Sequence, residues 1–177
     1  MKKQIFASLL SLLVAVAAEP VYAQQSSGKS GASKTSLILS RIDEPVIEQF
    51  RNAWCAAGAG VFTREVVVLL YLNRDGSLTT KTLRPSNEYK RFTFKWDPSI
   101  YAIVHTHPNA CNAEPQRDDI QLADRFDVPI YTITNRGMFV YDPHTRKISQ
   151  VQAGLDWQKS SKWNQNSRQT VASTTAP

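Results

Sequence analysis

The sequence has few of the features that mark a membrane-spanning, nucleic-acid-binding or disulfide-rich protein. Its 177 residues include two cysteines and three histidines. No run of five or more basic residues occurs, so the net charge of +6 is spread along the chain and does not favour a nucleic-acid partner. The N-terminal apolar run, residues 5–18, is shorter than the roughly 20 residues of a membrane span. With no internal repeat and no second domain, one domain of ordinary size is expected.

The N-terminus has the three parts of a secretory signal peptide. A positive start at residues 2–3 precedes the apolar residues 5–18, and a small-x-small site follows at residues 21–23. We therefore expect residues 1–23 to be cleaved and the mature chain to be periplasmic or secreted, without a stable membrane anchor. A mildly basic exported chain favours anionic surfaces such as an envelope polymer.

The apolar pattern predicts a single mixed domain over residues 37–155. Helical spacing favours helices at 41–57 and 115–126, and residues 37–40 are either a short strand or the entry to the first helix. Runs rich in Val, Leu and Ile predict strands at 63–72, 77–83, 101–105, 129–134, 138–141 and 147–151. This order indicates a mixed β-sheet flanked by helices, an α/β or α+β sandwich.

Polar segments flank the predicted domain on both sides. Residues 24–36 are rich in Ser, Gly, Gln and Lys and are expected to be a flexible leader. Residues 156–177 are expected to be a polar, disordered tail, although Trp157 and Trp163 have the apolar surface to dock onto the core.

Two of the three histidines lie close together where a predicted strand ends. His105 and His107 are two residues apart, so on a strand they project from the same face and reach the same ion. Pro108 stops the strand, and a loop leads to a helix start that carries Asp118 and Asp119. Two imidazoles and one carboxylate leave a fourth position open, which is the arrangement of a catalytic zinc site.

The same residues have less specific interpretations. A carboxylate in the first turn of a helix is favourable simply because it offsets the helix dipole, and this alone could explain Asp118 and Asp119. Both interpretations can hold together, since a metal needs only one of the two as a ligand. The ligand types favour Zn²⁺, and manganese, iron and nickel also accept them.

The segment resembles the JAMM (MPN-type) zinc metallopeptidases, including their prokaryotic JAB-domain branch. The signature of that family is an upstream Glu, then His-x-His-Pro, a loop, and Ser-x-x-Asp at the start of a helix. This chain has Glu65, the run from His105 to Pro108, and Asp118 or Asp119, and the resemblance covers roughly residues 44–150. It implies a JAB/MPN-like, cytidine-deaminase-like architecture with one Zn²⁺ per chain.

The resemblance assigns roles and shows one departure. Strict family spacing selects Asp118, whereas one extra loop residue selects Asp119 and keeps the apolar Ile120 directly after the ligand, so Asp119 is preferred. The family's Ser is then replaced by Gln116, whose amide is a candidate donor to a developing oxyanion. Glu65 would take a proton from the attacking water and pass it to the leaving amine. Outside the resemblance, Glu65 is simply a charge at a strand edge.

The two cysteines, in an exported chain, predict one disulfide between Cys55 and Cys111. That bond would tie the loop after the histidines to the helix before Glu65. A less favoured alternative makes Cys111 a fourth zinc ligand, which would close the position that catalysis requires.

Two hypotheses of different classes follow from these residues. The first is an exported zinc metallopeptidase that cuts a peptide or isopeptide bond in a protein or in peptidoglycan, with His105, His107 and Asp119 as ligands. The second is a catalytically inactive JAB/MPN-like module that binds a partner in the bacterial envelope, which the missing Ser favours.

Overall fold

The computed structural model describes residues 33–83 and 94–163, which build a six-stranded mixed sheet with helices on both faces. The strands are β1 (Val67–Leu72), β2 (Leu78–Leu83), β3 (Ile100–Thr106), β4 (Ile130–Thr134), β5 (Gly137–Asp142) and β6 (Lys147–Ala153). Their order across the sheet is β2-β1-β3-β4-β5-β6. Strands β3 and β4 run parallel, and the other neighbouring pairs are antiparallel. The predicted mixed α/β class is confirmed.

In the part of the chain that the structure describes, the sheet is accompanied by the helices α1 (Lys34–Leu39), α2 (Glu44–Ala56) and α3 (Arg117–Phe126). Because side chains alternate along a strand, β3 contributes to two separate apolar layers. Val104 packs in the layer that contains the buried face of α2. Ile103 packs in the layer on the other face, together with Leu122 of α3. The chain from β3 to β4 crosses this second face through α3, as a parallel strand pair requires.

The sequence of α2 explains both its start and its buried face. Asp43 is the N-cap, and its Oδ1 accepts a hydrogen bond from the Val46 N–H at 3.2 Å. Val46, Ile47 and Phe50 then recur at helical spacing and are buried against the sheet. The helix therefore begins three residues later than the sequence predicts, because Asp43 is the residue that satisfies the first free N–H groups.

The prediction of a leader up to residue 36 is wrong for its last residues. Ser33 caps α1, and its hydroxyl donates to Asp142 at the end of β5 at 2.6 Å. The Lys34 ammonium donates to the Asp127 carboxylate after α3 at 2.8 Å. Ile38 of α1 is buried in the core, so α1 belongs to the folded domain, which a reading of Ser and Lys as polar leader residues misses.

The prediction that a loose tail begins at residue 156 is also wrong for residues 156–163. They contain the 3₁₀ turn Asp156–Gln158, and both tryptophans are buried. The Trp157 indole N–H donates to the Thr134 carbonyl at 3.0 Å, and the Trp163 indole N–H donates to the Trp157 carbonyl at 3.0 Å. The folded domain therefore extends at least to Trp163.

Several predictions lie outside the described residues. They are the signal peptide at 1–23, the leader at 24–32 and the tail at 164–177. Within residues 33–83 and 94–163, none of the helices has the length and apolar character that crossing a membrane would require.

Candidate metal centre

Strand β3 delivers both histidines to the face of the sheet that carries α3. His105 pairs with Val67 of β1 on one side and with Thr132 of β4 on the other, so it lies inside the sheet. The backbone N–H of His107 donates to the Ile133 carbonyl at 3.1 Å, which extends the β3–β4 pairing by one residue beyond the strand. Both histidines are buried, at 4% and 2% exposure. The predicted same-face arrangement is what the structure shows.

Helix α3 supplies the carboxylate, and its first turn fixes that side chain. Gln116 is the N-cap residue, and its backbone N–H donates to Asp119 Oδ2 at 2.7 Å. Asp119 is 2% exposed and faces the histidines, whereas Asp118 is partly exposed and lies outside the cluster. Asp119, and not Asp118, is therefore the carboxylate that converges on the histidines.

Three donor atoms converge between β3 and α3. The Nε2 atoms of His105 and His107 are 2.9 Å apart. His105 Nε2 lies 3.4 Å from Asp119 Oδ1, and His107 Nε2 lies 3.9 Å from Asp119 Oδ2. A tetrahedral zinc with bonds of about 2.0–2.1 Å holds neighbouring donors about 3.3 Å apart, so these separations match the size of such an ion.

The outer nitrogens of both imidazoles are held by backbone groups. His107 Nδ1 donates to the Asn112 carbonyl at 2.7 Å. His105 also hydrogen-bonds the backbone of Tyr131, and because its Nε2 faces the cluster, Nδ1 is the atom that does so. With protons on both Nδ1 atoms, the Nε2 atoms carry lone pairs that point at each other and at a carboxylate. Such an arrangement needs a positive charge at its centre, supplied by a proton or by a metal ion.

Electrostatics within the cluster favour that positive charge. Burial disfavours the imidazolium of His105, but Asp119 and Glu65 outweigh it, and the pKa of His105 is raised. Burial likewise disfavours the Asp119 carboxylate, yet His105 and the Gln116 N–H hold its pKa below the ordinary value. A metal ion must displace the proton that this pair retains, so metal affinity falls as the pH falls.

Glu65 lies at the same site, two residues before β1. Thr106 bonds to Val66 through the Thr106 backbone N–H at 3.0 Å and the Thr106 hydroxyl at 2.9 Å, which places residue 66 opposite residue 106. This register puts Glu65 opposite His107, on the face that also carries His105. Glu65 is 6% exposed, and its charge acts on His105. The site therefore has a second buried carboxylate beside the three converging donors.

Gln116 is near the cluster, but its side chain is engaged elsewhere. Its amide Nε2 donates to the Glu114 carbonyl at 2.9 Å. The contribution of Gln116 to the described geometry is thus its backbone N–H on Asp119. An oxyanion contact from its amide remains a prediction.

The predicted disulfide is not formed. Cys55 is exposed near the end of α2, and Cys111 is partly exposed in the loop after the histidines; both carry free thiols. The loop after the histidines is joined to the loop after α2 by Asn109 instead. The backbone N–H of Asn109 donates to the Gly60 carbonyl at 2.8 Å. Cys111 lies outside the group of donors, so the alternative of a fourth thiolate ligand is not supported either.

Sequence reasoning missed the groups that orient the ligands. They are mostly backbone atoms: the carbonyl of Asn112, the backbone of Tyr131 and the N–H of Gln116. Thr132, opposite His105, also donates from its hydroxyl to the Ala113 carbonyl and fixes the loop before α3. Of these groups only Thr132, a polar residue in an apolar strand, could have been noticed in the sequence. Backbone contacts do not require particular residue types and so leave no pattern.

Asp119→Asn and Asp118→Asn should have different effects on metal binding. Asp119→Asn removes the negative charge and one of the two carboxylate oxygens, so the remaining oxygen cannot serve both the ion and the Gln116 N–H, and we expect zinc affinity to fall by about 10- to 100-fold. Asp118→Asn, the matched control one residue away, should leave affinity within about twofold. Competition titration against a chromogenic zinc chelator measures both. Equal losses, or a larger loss with Asp118→Asn, would contradict the assignment.

Comparison with protein-family models gives no match, and comparisons with curated proteins and with solved structures give no significant match. The resemblance to the JAMM family thus depends on the motif residues alone.

Proposed function

We propose that the protein is an exported zinc-dependent hydrolase that cleaves a peptide or isopeptide bond. The observation that carries this proposal is the buried convergence of His105, His107 and Asp119, with Glu65 on the same face of the sheet. Three protein ligands leave one position for water or substrate, which is typical of catalytic and not of structural zinc.

Each residue has a defined task in this proposal. His105, His107 and Asp119 hold the ion, and the backbone contacts of the imidazoles fix the tautomer that offers Nε2. Zinc, when bound, supplies Lewis acidity towards the carbonyl and lowers the pKa of water. Glu65 accepts the proton of the attacking water at its carboxylate and passes it to the leaving amine. Its burial keeps bulk water away and strengthens its interaction with the site.

The arrangement also supports a JAB/MPN-like architecture, as the finer form of the mixed α/β fold. A Glu before β1, His-x-His at the end of β3 and an Asp in the first turn of α3 follow the order of the family's signature. A peptide, a protein or peptidoglycan is the substrate class that this resemblance and the proposed export imply.

A second candidate is a module of the same fold that binds a partner without cutting it. The observation that favours it is Gln116, which occupies the place of the family's Ser and directs its amide to the Glu114 carbonyl. A donor to the developing oxyanion would then be absent from that position. Bound metal alone does not separate the two candidates, because the binding module can also hold an ion, but hydrolysis does.

Metal removal and return should switch the activity off and on. We expect protein purified without chelators to hold about one zinc per chain and to cleave short synthetic peptides or purified peptidoglycan, detected by mass spectrometry. Dialysis against a chelator should abolish cleavage, and zinc should restore it; manganese, iron and nickel are the comparison ions. Protein without a near-stoichiometric transition metal would overturn the metal site. Metal-loaded protein that cleaves neither substrate class would favour the binding module.

A further inference from the structure

Two large apolar side chains are exposed on the loop between α2 and β1. Val61 is 77% exposed and Phe62 is 62% exposed. In the described part of the chain the other exposed large apolar residues, Ile148 and Leu155, stand apart from each other in sequence at 37% and 45% exposure. An adjacent exposed pair offers apolar surface that a ligand can cover. We call residues 58–62 the apolar loop.

The apolar loop has a defined conformation. Gly58, Ala59 and Gly60 all have positive φ, at 74°, 51° and 76°. The Ala59 N–H donates to the Trp54 carbonyl at 2.8 Å, and the Val61 N–H donates to the Gly58 carbonyl at 3.0 Å. The Phe62 ring rests on Gly58, where a Cβ would collide with it. Gly58, which has no Cβ, therefore leaves the space in which the Phe62 ring packs while most of the ring remains exposed.

Two connections place the apolar loop beside the metal centre. Asn109, two residues after His107, donates from its backbone N–H to the Gly60 carbonyl at 2.8 Å and from its side chain to the Ala59 carbonyl at 3.3 Å. In the other direction, Phe62 is three residues before Glu65, a span of at most about 11 Å. An extended peptide covers that distance with about three residues.

We propose that Val61 and Phe62 form a recognition surface for an apolar side chain of an extended peptide, within about three residues of the bond that is cleaved. The argument for this occupant is the direct continuity of the apolar loop with the metal centre through Asn109. The chain between Phe62 and Glu65 limits their separation to at most about 11 Å. The effect of this recognition surface on the rate of cleavage rests on the hydrolase function proposed above. The binding it describes is testable without catalysis.

The catalytic test compares peptides that differ only in one side chain. A set of decapeptides of Gly, Ser and Asn carries a single Phe at successive positions, and a matched set carries Ser there. For the Phe peptide that wild type cleaves best, we expect Val61→Ser/Phe62→Ser to lower kcat/KM by about tenfold, mainly through KM. The rate on the matched Ser peptide should stay within about twofold. Ile148→Ser, an exposed apolar position on β6, is the control that should change neither value.

A binding test separates failure of this proposal from failure of the hydrolase function. Glu65→Gln protein loaded with zinc is titrated into the fluorescein-labelled Phe and Ser peptides, and anisotropy is measured. Preference for the Phe peptide, lost in the Val61→Ser/Phe62→Ser background, supports the recognition surface even where wild type cleaves no peptide. Equal affinity for the two peptides, or an equal loss on both, overturns it. A dimer in sedimentation that the double substitution dissolves would assign the apolar loop to self-association and also overturn it.

Discussion

Glu65→Gln should lower the rate of peptide-bond hydrolysis by about 10²- to 10⁴-fold while leaving one zinc bound per chain. The substitution keeps the size of the side chain and removes the group that accepts the proton of the attacking water. It spares His105, His107 and Asp119, which are the converging donors. Steady-state kinetics on a cleaved peptide and metal analysis of the same sample measure the two effects.

The control for this substitution is the neighbouring charge. Arg64 is exposed next to Glu65, so Arg64→Gln changes the local charge without touching the buried face of the site. We expect Arg64→Gln to retain activity within about threefold, since solvent and salt screen the charge of an exposed side chain. A Glu65→Gln enzyme with wild-type kcat would remove Glu65 as the base. A variant that loses both activity and zinc would instead give Glu65 a role in holding the ion.

The histidine pair was the most predictable part of the site, because it depends on local geometry. Strand alternation places His105 and His107 on one face whatever the rest of the fold, and Pro108 marks the end of the strand. The choice between Asp118 and Asp119 was less local. It depends on the rotation of α3 about its axis, which the Gln116 N-cap and the loop before it determine.

Glu65 could not be placed from the sequence by physical reasoning alone. Its position opposite His107 depends on the register between β1 and β3, in which Val67 pairs with His105. A shift by one residue would put Glu65 on the α2 face, because neighbouring strand residues point to opposite faces. Contacts across 40 residues of chain set that register, including the Val66–Thr106 hydrogen bond. Only the resemblance to a family motif singled Glu65 out in advance.

The wrong predictions share a physical origin. Each was made from the composition of a short segment, which does not show the distant part of the chain that the segment contacts. Residues 156–163 are polar apart from two tryptophans, and the pocket for those rings is built by distant elements, α2 and β4. The predicted disulfide followed from export and cysteine count, whereas the connection between the two loops is made by Asn109. In both cases long-range packing decided the structure.

Trp157→Ala should destabilise the protein by about 3–5 kcal/mol, the usual cost of truncating a buried tryptophan. The Trp157 side chain is fully buried and meets Trp54 of α2 edge to face, with ring centroids 5.8 Å apart at 83°. Its indole N–H donates to the carbonyl of Thr134 at the end of β4. The preceding residue, Ile133, accepts a hydrogen bond from the His107 backbone N–H. Trp157 therefore stabilises the end of the sheet that carries the metal ligands. Urea unfolding followed by circular dichroism, on metal-free protein, measures the loss.

Two further variants distinguish what the indole contributes. Trp157→Phe keeps most of the apolar contact with Trp54 but loses the hydrogen bond and leaves the Thr134 carbonyl without this donor, so a loss of about 1–2 kcal/mol is expected. Leu155→Ala, two residues earlier and 45% exposed, should cost less than about 1 kcal/mol. A Trp157→Ala loss no larger than that of Leu155→Ala would mean that residues 156–163 do not pack on the core in solution. Zinc at 1,000 times its Kd should raise the free energy of unfolding of the wild type by about 4 kcal/mol. The same increase in Trp157→Ala would show that the metal site forms without the tryptophan, and a smaller increase would show that it does not.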